Sequence, residues 1–277
     1  MNIPEIVKIL TDSGIEPNEA NVEVKLLIEH FCGITALDLL MGKRLDYDKL
    51  AIVKEKAALR ARTRTPIQHI TGFAYFMGEK FNVNPQVLIP RDETELLVRQ
   101  AVKIIKERGF RDILDIGTGS GCIACMIAKL TDARVIGVDI SSNALQTALE
   151  NATKLRLNNR AVFRKSDLFE KVHENFDMIV SNPPYIPASE AHGLQKEVRF
   201  DPHEALFTQD EAGLEFYEKI AMQAPSVLNR GGYLVFETGK DQAKEVKELM
   251  GYNGFEQIEI IRDLAGIERV ISGRLCC

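Results

Sequence analysis

The chain has 277 residues, with 35 Lys and Arg against 40 Asp and Glu, a formal net charge of −5. The length suggests one or two domains, and a composition 45% hydrophobic and 27% charged excludes a disordered, collagenous or coiled-coil chain. No apolar run approaches the roughly 18 residues of a membrane span and Met1 to Leu10 is too polar for a signal-peptide core, so a cytoplasmic address is expected, and the acidity argues against a coat for naked nucleic acid.

Residues 1–64 read as a small helical bundle. Ala20, Val24, Leu27 and Phe31 form the stripe of an amphipathic helix, Leu50, Val53, Ala57 and Ala61 repeat it, and Thr35 with Asp38 has capping-box spacing. Charge is uneven: residues 1–42 carry two Lys against seven acids, whereas 43–64 carry eight Lys and Arg against three acids. Such a basic helix reads as a solvated face. Its docking onto an acidic or RNA-rich partner is testable by charge reversal at Arg60, Arg62 and Arg64.

From Pro66 to Pro90, Phe73, Tyr75, Phe76 and Phe81 stand among turn formers, which suggests a hairpin connector over residues 65–90. A helix is expected to open near Arg91, where Asp92, Glu93 and Glu95 favour the helix dipole. Arg91, Glu93 and Thr94 are cap residues or residues that close over a ligand. Beyond residue 110 the pattern becomes strand, turn, helix, repeated. Short apolar runs at Ile113–Ile116, Val135–Val138, Ala161–Phe163, Met178–Val180 and Tyr233–Phe236 read as buried strands, and Ser142–Leu155 has helical spacing. Two late runs, Ile258–Ile261 and Val270–Ser272, read as an antiparallel pair. The alternation predicts a mostly parallel sheet covered by helices on both faces, occupying residues 91–277.

Five cysteines are no disulfide framework in a chain of this length. Cys122 and Cys125 have Cys-x-x-Cys spacing without a second ligand pair, so they read as small apolar residues of a buried helix and no metal is expected. Cys276-Cys277 lacks the form of a prenylation signal.

Two constellations carry chemistry. In Asp115-Ile116-Gly117-Thr118-Gly119-Ser120-Gly121 a strand gives way to a helix, and glycines there let the backbone approach a ligand closely. Asp139, 22 residues after Gly117, stands where an acid accepts hydrogen bonds from ribose hydroxyls. The pair fits a nicotinamide dinucleotide or S-adenosylmethionine; Cys122 at the third fingerprint position departs from the dinucleotide pattern, and the Gly-x-Gly-x-Gly rhythm is the methyltransferase style. In Ser181-Asn182-Pro183-Pro184-Tyr185, directly after a strand, the Asn182 side-chain oxygen and the Pro183 carbonyl offer two acceptors and Tyr185 a flat ring. Together they can clamp a planar NH₂ group.

The glycine loop and the Asn-Pro-Pro-Tyr signature together resemble the amino-group methyltransferases that use S-adenosylmethionine. Pro66–Gly72 running to Phe76-Met77-Gly78, Val87–Glu95, and Asp201-Pro202-His203-Glu204-Ala205-Leu206 are similar to the PrmC/HemK family of peptide chain release factor glutamine methyltransferases, over essentially the whole chain. The resemblance implies a Rossmann-like class I S-adenosylmethionine-dependent methyltransferase, α/β with a seven-stranded mostly parallel sheet, behind a helical substrate-recognition domain over 1–64. It implies as substrate the glutamine of the Gly-Gly-Gln loop of class I release factors, methylated on its side-chain amide nitrogen. By position, Gly117, Thr118, Gly119, Ser120 and Gly121 line the methionine part of the cofactor, Asp139 its ribose, and Asp167 with Leu168 its adenine. Asn182 touches cofactor and substrate, and Asn182, Pro183, Pro184 and Tyr185 hold the glutamine amide, with Asn182, Pro183 and Tyr185 catalytic. Some relatives have an aromatic where Leu168 stands, so an apolar contact replaces stacking there. His69 reads as structural, and Asp201 and His203 as parts of a fixed loop beside Pro202.

The expected enzyme is therefore a monomeric protein-glutamine methyltransferase acting on a release factor, with no nucleic-acid substrate and no membrane. Its rivals are an amino-group methyltransferase of adenine or guanine in DNA or ribosomal RNA, and a non-catalytic S-adenosylmethionine-binding assembly factor.

Overall fold

The computed structural model describes residues 2–276; Cys277, and with it the terminal cysteine pair, lies outside the described residues. The chain divides into two compact units, one of residues up to Phe73 with Gln195–Phe200, the other of Ala74–Leu194 with the residues from Asp201 on.

Among the described residues the first unit holds five α-helices, α1 (Ile3–Asp12), α2 (Pro17–Cys32), α3 (Ala36–Leu40), α4 (Tyr47–Thr63) and α5 (Ile67–Thr71), with a 3-10 turn at Val198–Phe200. Asn2 caps α1 by accepting from the Glu5 amide at 3.0 Å, and Thr35 with Asp38 forms a reciprocal capping box on α3, satisfying amides that the helix itself leaves unpaired. Ala20, Val24 and Leu27 of α2 meet Leu50, Val53 and Ala57 of α4 and Ile6 and Leu10 of α1 in one apolar core.

The basic stretch is not uniformly solvated. Arg60 is 1% exposed. Its Nε donates to Glu23 at 3.0 Å and its Nη1 to Glu197 at 2.7 Å, while Arg64 pairs with the same Glu197. Burial pushes the Glu23 carboxyl up, and Arg60 pulls it back. Arg60 and Arg64 therefore serve internal pairs. Lys54 and Arg62 remain exposed and are the residues on which charge reversal tests a docking face.

The second unit begins at Ala74, inside a hairpin of β1 (Phe73–Phe76) and β2 (Glu79–Asn82), followed by α6 (Thr94–Arg108), β3 (Asp112–Ile116), α7 (Cys122–Leu130), β4 (Arg134–Asp139), α8 (Ser142–Lys154), β5 (Ala161–Lys165) and β6 (Phe176–Ser181). A short pair, β7 (Ile186–Pro187) and β8 (Phe207–Thr208), brackets an insertion, and α9 (Glu215–Gln223), β9 (Leu228–Glu237), α10 (Ala243–Tyr252), β10 (Phe255–Arg262) and β11 (Glu268–Leu275) complete the unit. Seven strands form one sheet in the order β10-β11-β9-β6-β3-β4-β5. The pairs among β9, β6, β3, β4 and β5 are parallel, and β11 is antiparallel to both β9 and β10.

Strand side chains alternate between two cores, as the pleat requires. Ile113, Val135, Met178 and Val235 join Leu97, Val98 and Ile123 of α6 and α7 on one face. Leu114, Ile136, Ile179 and Leu234 join Tyr217, Ile220 and Val246 of α9 and α10 on the other. This is the doubly wound α/β class that the strand–helix alternation predicts.

The topology fixes where a ligand goes. After β3 the chain winds outward through β4 and β5, then returns to place β6 on the other side of β3, and the crevice at such a reversal opens outside the carboxyl ends of the strands. The hairpin packs its Phe76 and Phe81 rings, 6.0 Å apart, into the first core. It also supports the crevice: buried Asn151 of α8 accepts from the Asn82 amide at 2.7 Å and donates to the Asn82 carbonyl at 3.0 Å and the Ser120 carbonyl at 2.9 Å.

Candidate active site

The loop from β3 to α7 takes positive φ at Gly117 (71°), Gly119 (52°) and Gly121 (76°), a trace that side chains disfavour. A Cβ on Gly121 would lie 2.9 Å from the Ala148 Cβ, so this glycine also lets the loop sit down on α8. A Cβ on Gly117 meets no atom of the chain within 4 Å; it would project into open space. Beneath the loop, Gly137 of β4 makes room in the same way, since a Cβ there would come 2.6 Å from Thr118 Oγ1.

Two carboxylates hold this loop. Thr118 Oγ1 donates to Asp115 Oδ2 at 2.6 Å, and Asp115 Oδ1 is buried without a hydrogen-bond partner. Burial pushes the Asp115 carboxyl up to about 7, against the pull of the Thr118 hydrogen bond. Asp139 accepts from the Gly119 amide at 2.9 Å and from the Ser141 amide at 2.8 Å. One bond falls on each oxygen, and a carboxylate offers about four acceptor sites, so Asp139 retains capacity for hydroxyl donors. The Ser166 amide donates to the Asp139 carbonyl at 3.1 Å, bringing exposed Asp167 and half-buried Leu168 to the same edge. Ile140, next to Asp139, is apolar and yet 57% exposed.

The second constellation begins where β6 ends. Ser181 lies level with Ile116 on one side and Phe236 on the other, and its hydroxyl donates to the Ile116 carbonyl at 2.8 Å. Asn182 thus emerges between the ends of β3 and β9. Its Nδ2 donates to Thr94 Oγ1 at 3.3 Å. Pro183 is buried, and Pro184 and Tyr185 are half-buried. Gln242 holds the Tyr185 carbonyl at 3.1 Å, and Gly239 lets the ring lie close, since a Cβ there would come 2.9 Å from Tyr185 Cδ2. Burial, and then the Glu237 charge, push the Tyr185 hydroxyl up to about 12.

The glycine loop is thus joined to Asp139 through the Gly119 amide, and Asn182 to Tyr185 follow β6 at the same sheet edge. His69 lies in α5 of the helical unit. Asp201 forms no acid–base pair with His203: its buried carboxylate accepts from the Ile89 amide at 3.2 Å and from Arg91, while the His203 ring packs on Phe207 at 4.6 Å. That tether on Arg91 leaves residues 91–93 as a turn, and α6 opens at Thr94. Cys122 and Cys125 are buried in α7, and burial pushes both thiols well up.

Glu237, the last residue of β9, belongs to neither of the two sequence motifs. It is buried, its Oε2 is without a hydrogen-bond partner, and burial pushes its carboxyl up to about 7, against the polar side chains of Thr94 and Asn182 nearby, which hold it down. A charged residue closing the apolar run Tyr233–Phe236 was its signal. Asn182 follows the apolar run of β6 in the same manner.

Residues 111–268 match a family described as a methyltransferase domain. The release factor glutamine methyltransferase of Chlorobaculum tepidum is 39% identical over 272 residues, covering 92% of this chain and 90% of that protein. The namesake of Geobacter sulfurreducens is also 39% identical, covering 96% of this chain and 93% of its own. The chain belongs to the release factor glutamine methyltransferase family. Among solved structures, a methyltransferase from Pyrococcus furiosus aligns with a TM-score of 0.55 at 19% identity, over 84% of this chain and 100% of its own. A ribosomal protein L11 methylase from Lactobacillus delbrueckii subsp. bulgaricus gives 0.51 at 23%, over 70% and 84%. Both likenesses are of fold. The residues of this family member fit S-adenosylmethionine on its own geometry: side-chain-free space over Gly117, an unpartnered Asp115 oxygen, and spare acceptor capacity on Asp139.

Proposed function

We propose that this enzyme methylates the side-chain amide nitrogen of the glutamine in the Gly-Gly-Gln loop of a class I release factor, with S-adenosylmethionine as methyl donor. The observation that carries the reading is the Asn182–Tyr185 turn at the carboxyl edge of the sheet, its Asn182 NH₂ directed inward to Thr94 and its oxygen left for a ligand.

Gly117 to Gly121 and Asp115 hold the methionine part of the donor, Asp139 the ribose, and Asp167, Leu168 and exposed Ile140 border the adenine. When bound, S-adenosylmethionine would supply a methyl group on a sulfonium, an electrophile for direct in-line displacement in which the S–CH₃ bond breaks as the N–CH₃ bond forms, the sulfur leaves as a neutral thioether and one amide hydrogen is lost as a proton to water. The chain's part is to present the nucleophile. A primary amide is a poor one because its lone pair is delocalised. Asn182 Oδ1 and the Pro183 carbonyl accept its two hydrogens and so raise electron density on nitrogen, while the Tyr185 ring covers one face. Pro183 and Pro184 fix the backbone that presents those acceptors, and positioning of this kind supplies much of the rate. The enzyme acts as a monomer in the cytoplasm on a protein loop, which its net charge of −5 suits better than nucleic acid does.

Incubation with methyl-labelled S-adenosylmethionine and either a class I release factor, DNA or ribosomal RNA tests the reading. Label is expected in the release factor, on glutamine. Label confined to nucleic acid overturns it in favour of a base methyltransferase, and no label in any substrate leaves a binding protein. For the cofactor side, Asp139→Ala removes a charged acceptor from the ribose hydroxyls. By the usual strength of such bonds, S-adenosylmethionine affinity should fall about tenfold to a hundredfold, measured by calorimetric titration; unchanged affinity removes Asp139 from the site.

A further inference from the structure

Asn182 has two chemically different ends, and the amide clamp works only if its oxygen faces the substrate. Thr94 does not decide which end faces it, because a hydroxyl both donates and accepts. Something beyond Thr94 must break the tie. Glu237 stands there: β9 runs parallel to β6 with Phe236 level with Ser181, so the residues that follow, Glu237 and Asn182, leave the two strands side by side, and Thr94 and Asn182 are near enough to the Glu237 carboxyl to lower its proton affinity.

Resting on the reading above, we propose that Glu237 and Thr94 are positioning residues for Asn182: the Glu237 carboxylate takes the Thr94 hydroxyl hydrogen, Thr94 Oγ1 then offers Asn182 only lone pairs, and the Asn182 amide must turn its NH₂ inward and its Oδ1 toward the substrate amide. A carboxylate accepts and cannot donate, so the order of donors runs one way: from Asn182 Nδ2 to Thr94 Oγ1, observed at 3.3 Å, and from Thr94 to Glu237. The Asn182 side chain also lies near this carboxylate and favours its ionised form. The three side chains come from the start of α6, the end of β6 and the end of β9. A fully buried carboxyl at the carboxyl edge is costly, and its placement is explained by this ordering. Tyr217 of α9 anchors the same residue from the other side, its hydroxyl donating to the Glu237 carbonyl at 3.1 Å.

The relay has a pH signature. Burial raises the Glu237 proton affinity to about 7, so the acceptor form is complete above neutrality and is lost as pH falls through that value. A protonated Glu237 can donate to Thr94, and the fixed order is lost. The groups facing Glu237 are Glu93 before α6 and Thr94 at its start, Cys122 of α7, Asn182 and Tyr185 after β6, Tyr217 of α9 and Arg269 of β11; Glu93 pushes the titration upward and Arg269 pulls it down.

The test reads the Asn182 side-chain NH₂ by ¹⁵N nuclear magnetic resonance of the full chain, the signal pair being assigned by its loss in Asn182→Asp. In the wild type the pair should shift with pH with a midpoint near neutrality. Glu237→Gln and Thr94→Val should abolish that titration, and Thr94→Ser, which keeps the hydroxyl, should restore it. In parallel, kcat for glutamine methylation should fall about tenfold to a hundredfold in Glu237→Gln and Thr94→Val, with cofactor KM within about twofold, by analogy with misplaced catalytic groups. A wild-type pair that does not titrate, or a Glu237→Gln or Thr94→Val enzyme with wild-type turnover, overturns the proposal. The wild-type spectrum alone decides this if a variant fails to fold. Failure of the wild type to label release factor would instead remove the functional reading, while the titration still judges the relay.

Discussion

Asn182→Ala is expected to lower kcat for release factor methylation about a hundredfold to a thousandfold, the effect of deleting one group from a preorganised polar clamp, while S-adenosylmethionine affinity changes only modestly. The asymmetry follows from where Asn182 stands. Its backbone is held by β6, by Ser181 bonding to Ile116 and by the two prolines that follow, so truncation takes away an acceptor and leaves the loop in place. The glycine loop and Asp139 belong to a different part of the edge and keep their mutual bond at 2.9 Å. Single-turnover methylation beside a cofactor titration separates the two quantities. Turnover close to wild type would remove Asn182 from the chemistry; affinity lost in step with turnover would make it a cofactor ligand first.

Arg60→Ala is expected to cost the helical unit about 3–5 kcal/mol, the usual result of removing one partner from a buried ion pair. Glu23 of α2 and Glu197 both lean on this guanidinium, and α2 and α4 pack their apolar stripes directly beside it. Removing it leaves Glu23 buried with no countercharge. The double variant Arg60→Met with Glu23→Gln should regain most of the loss, because an apolar pair of similar volume often replaces a buried ion pair without penalty. Chemical denaturation of the three proteins measures both effects, and a loss for Arg60→Ala below about 1 kcal/mol would show that the pair is solvated enough to contribute little.

Arg60 also marks a limit of what the sequence discloses. A run of Lys and Arg on a helix looks alike whether its charges face water or a buried acid, and the acid that decides it, Glu23, lies 37 positions away. The sheet was far more legible. Runs such as Ile113–Ile116 and Val135–Val138 are short, apolar and bounded by turn residues, and strands buried on both faces have little other composition open to them. The glycine loop was legible for a backbone reason and the Asn182–Tyr185 turn for a chemical one. The supports beneath them were not. Gly137, Asn151 and Glu237 act through neighbours 19 to 143 residues distant in the chain, as in Gly137 under Thr118, Asn151 on Asn82 and Glu237 near Thr94; nothing local distinguishes Gly137 or Asn151 from ordinary strand or helix residues, and the charge that closes the run of β9 does not by itself name its neighbours.

The membership of Gln195–Phe200 in the helical unit bears on modularity. The polypeptide passes from one unit to the other three times, after Phe73, after Leu194 and after Phe200, so the helical unit is not a cassette that one cut releases. A chain begun at Ala74 would keep Glu197 while losing Arg60 and Arg64, the two guanidinium groups it pairs with. Exchange of the first 73 residues between relatives would therefore succeed only when the six residues from Gln195 to Phe200 travel with them.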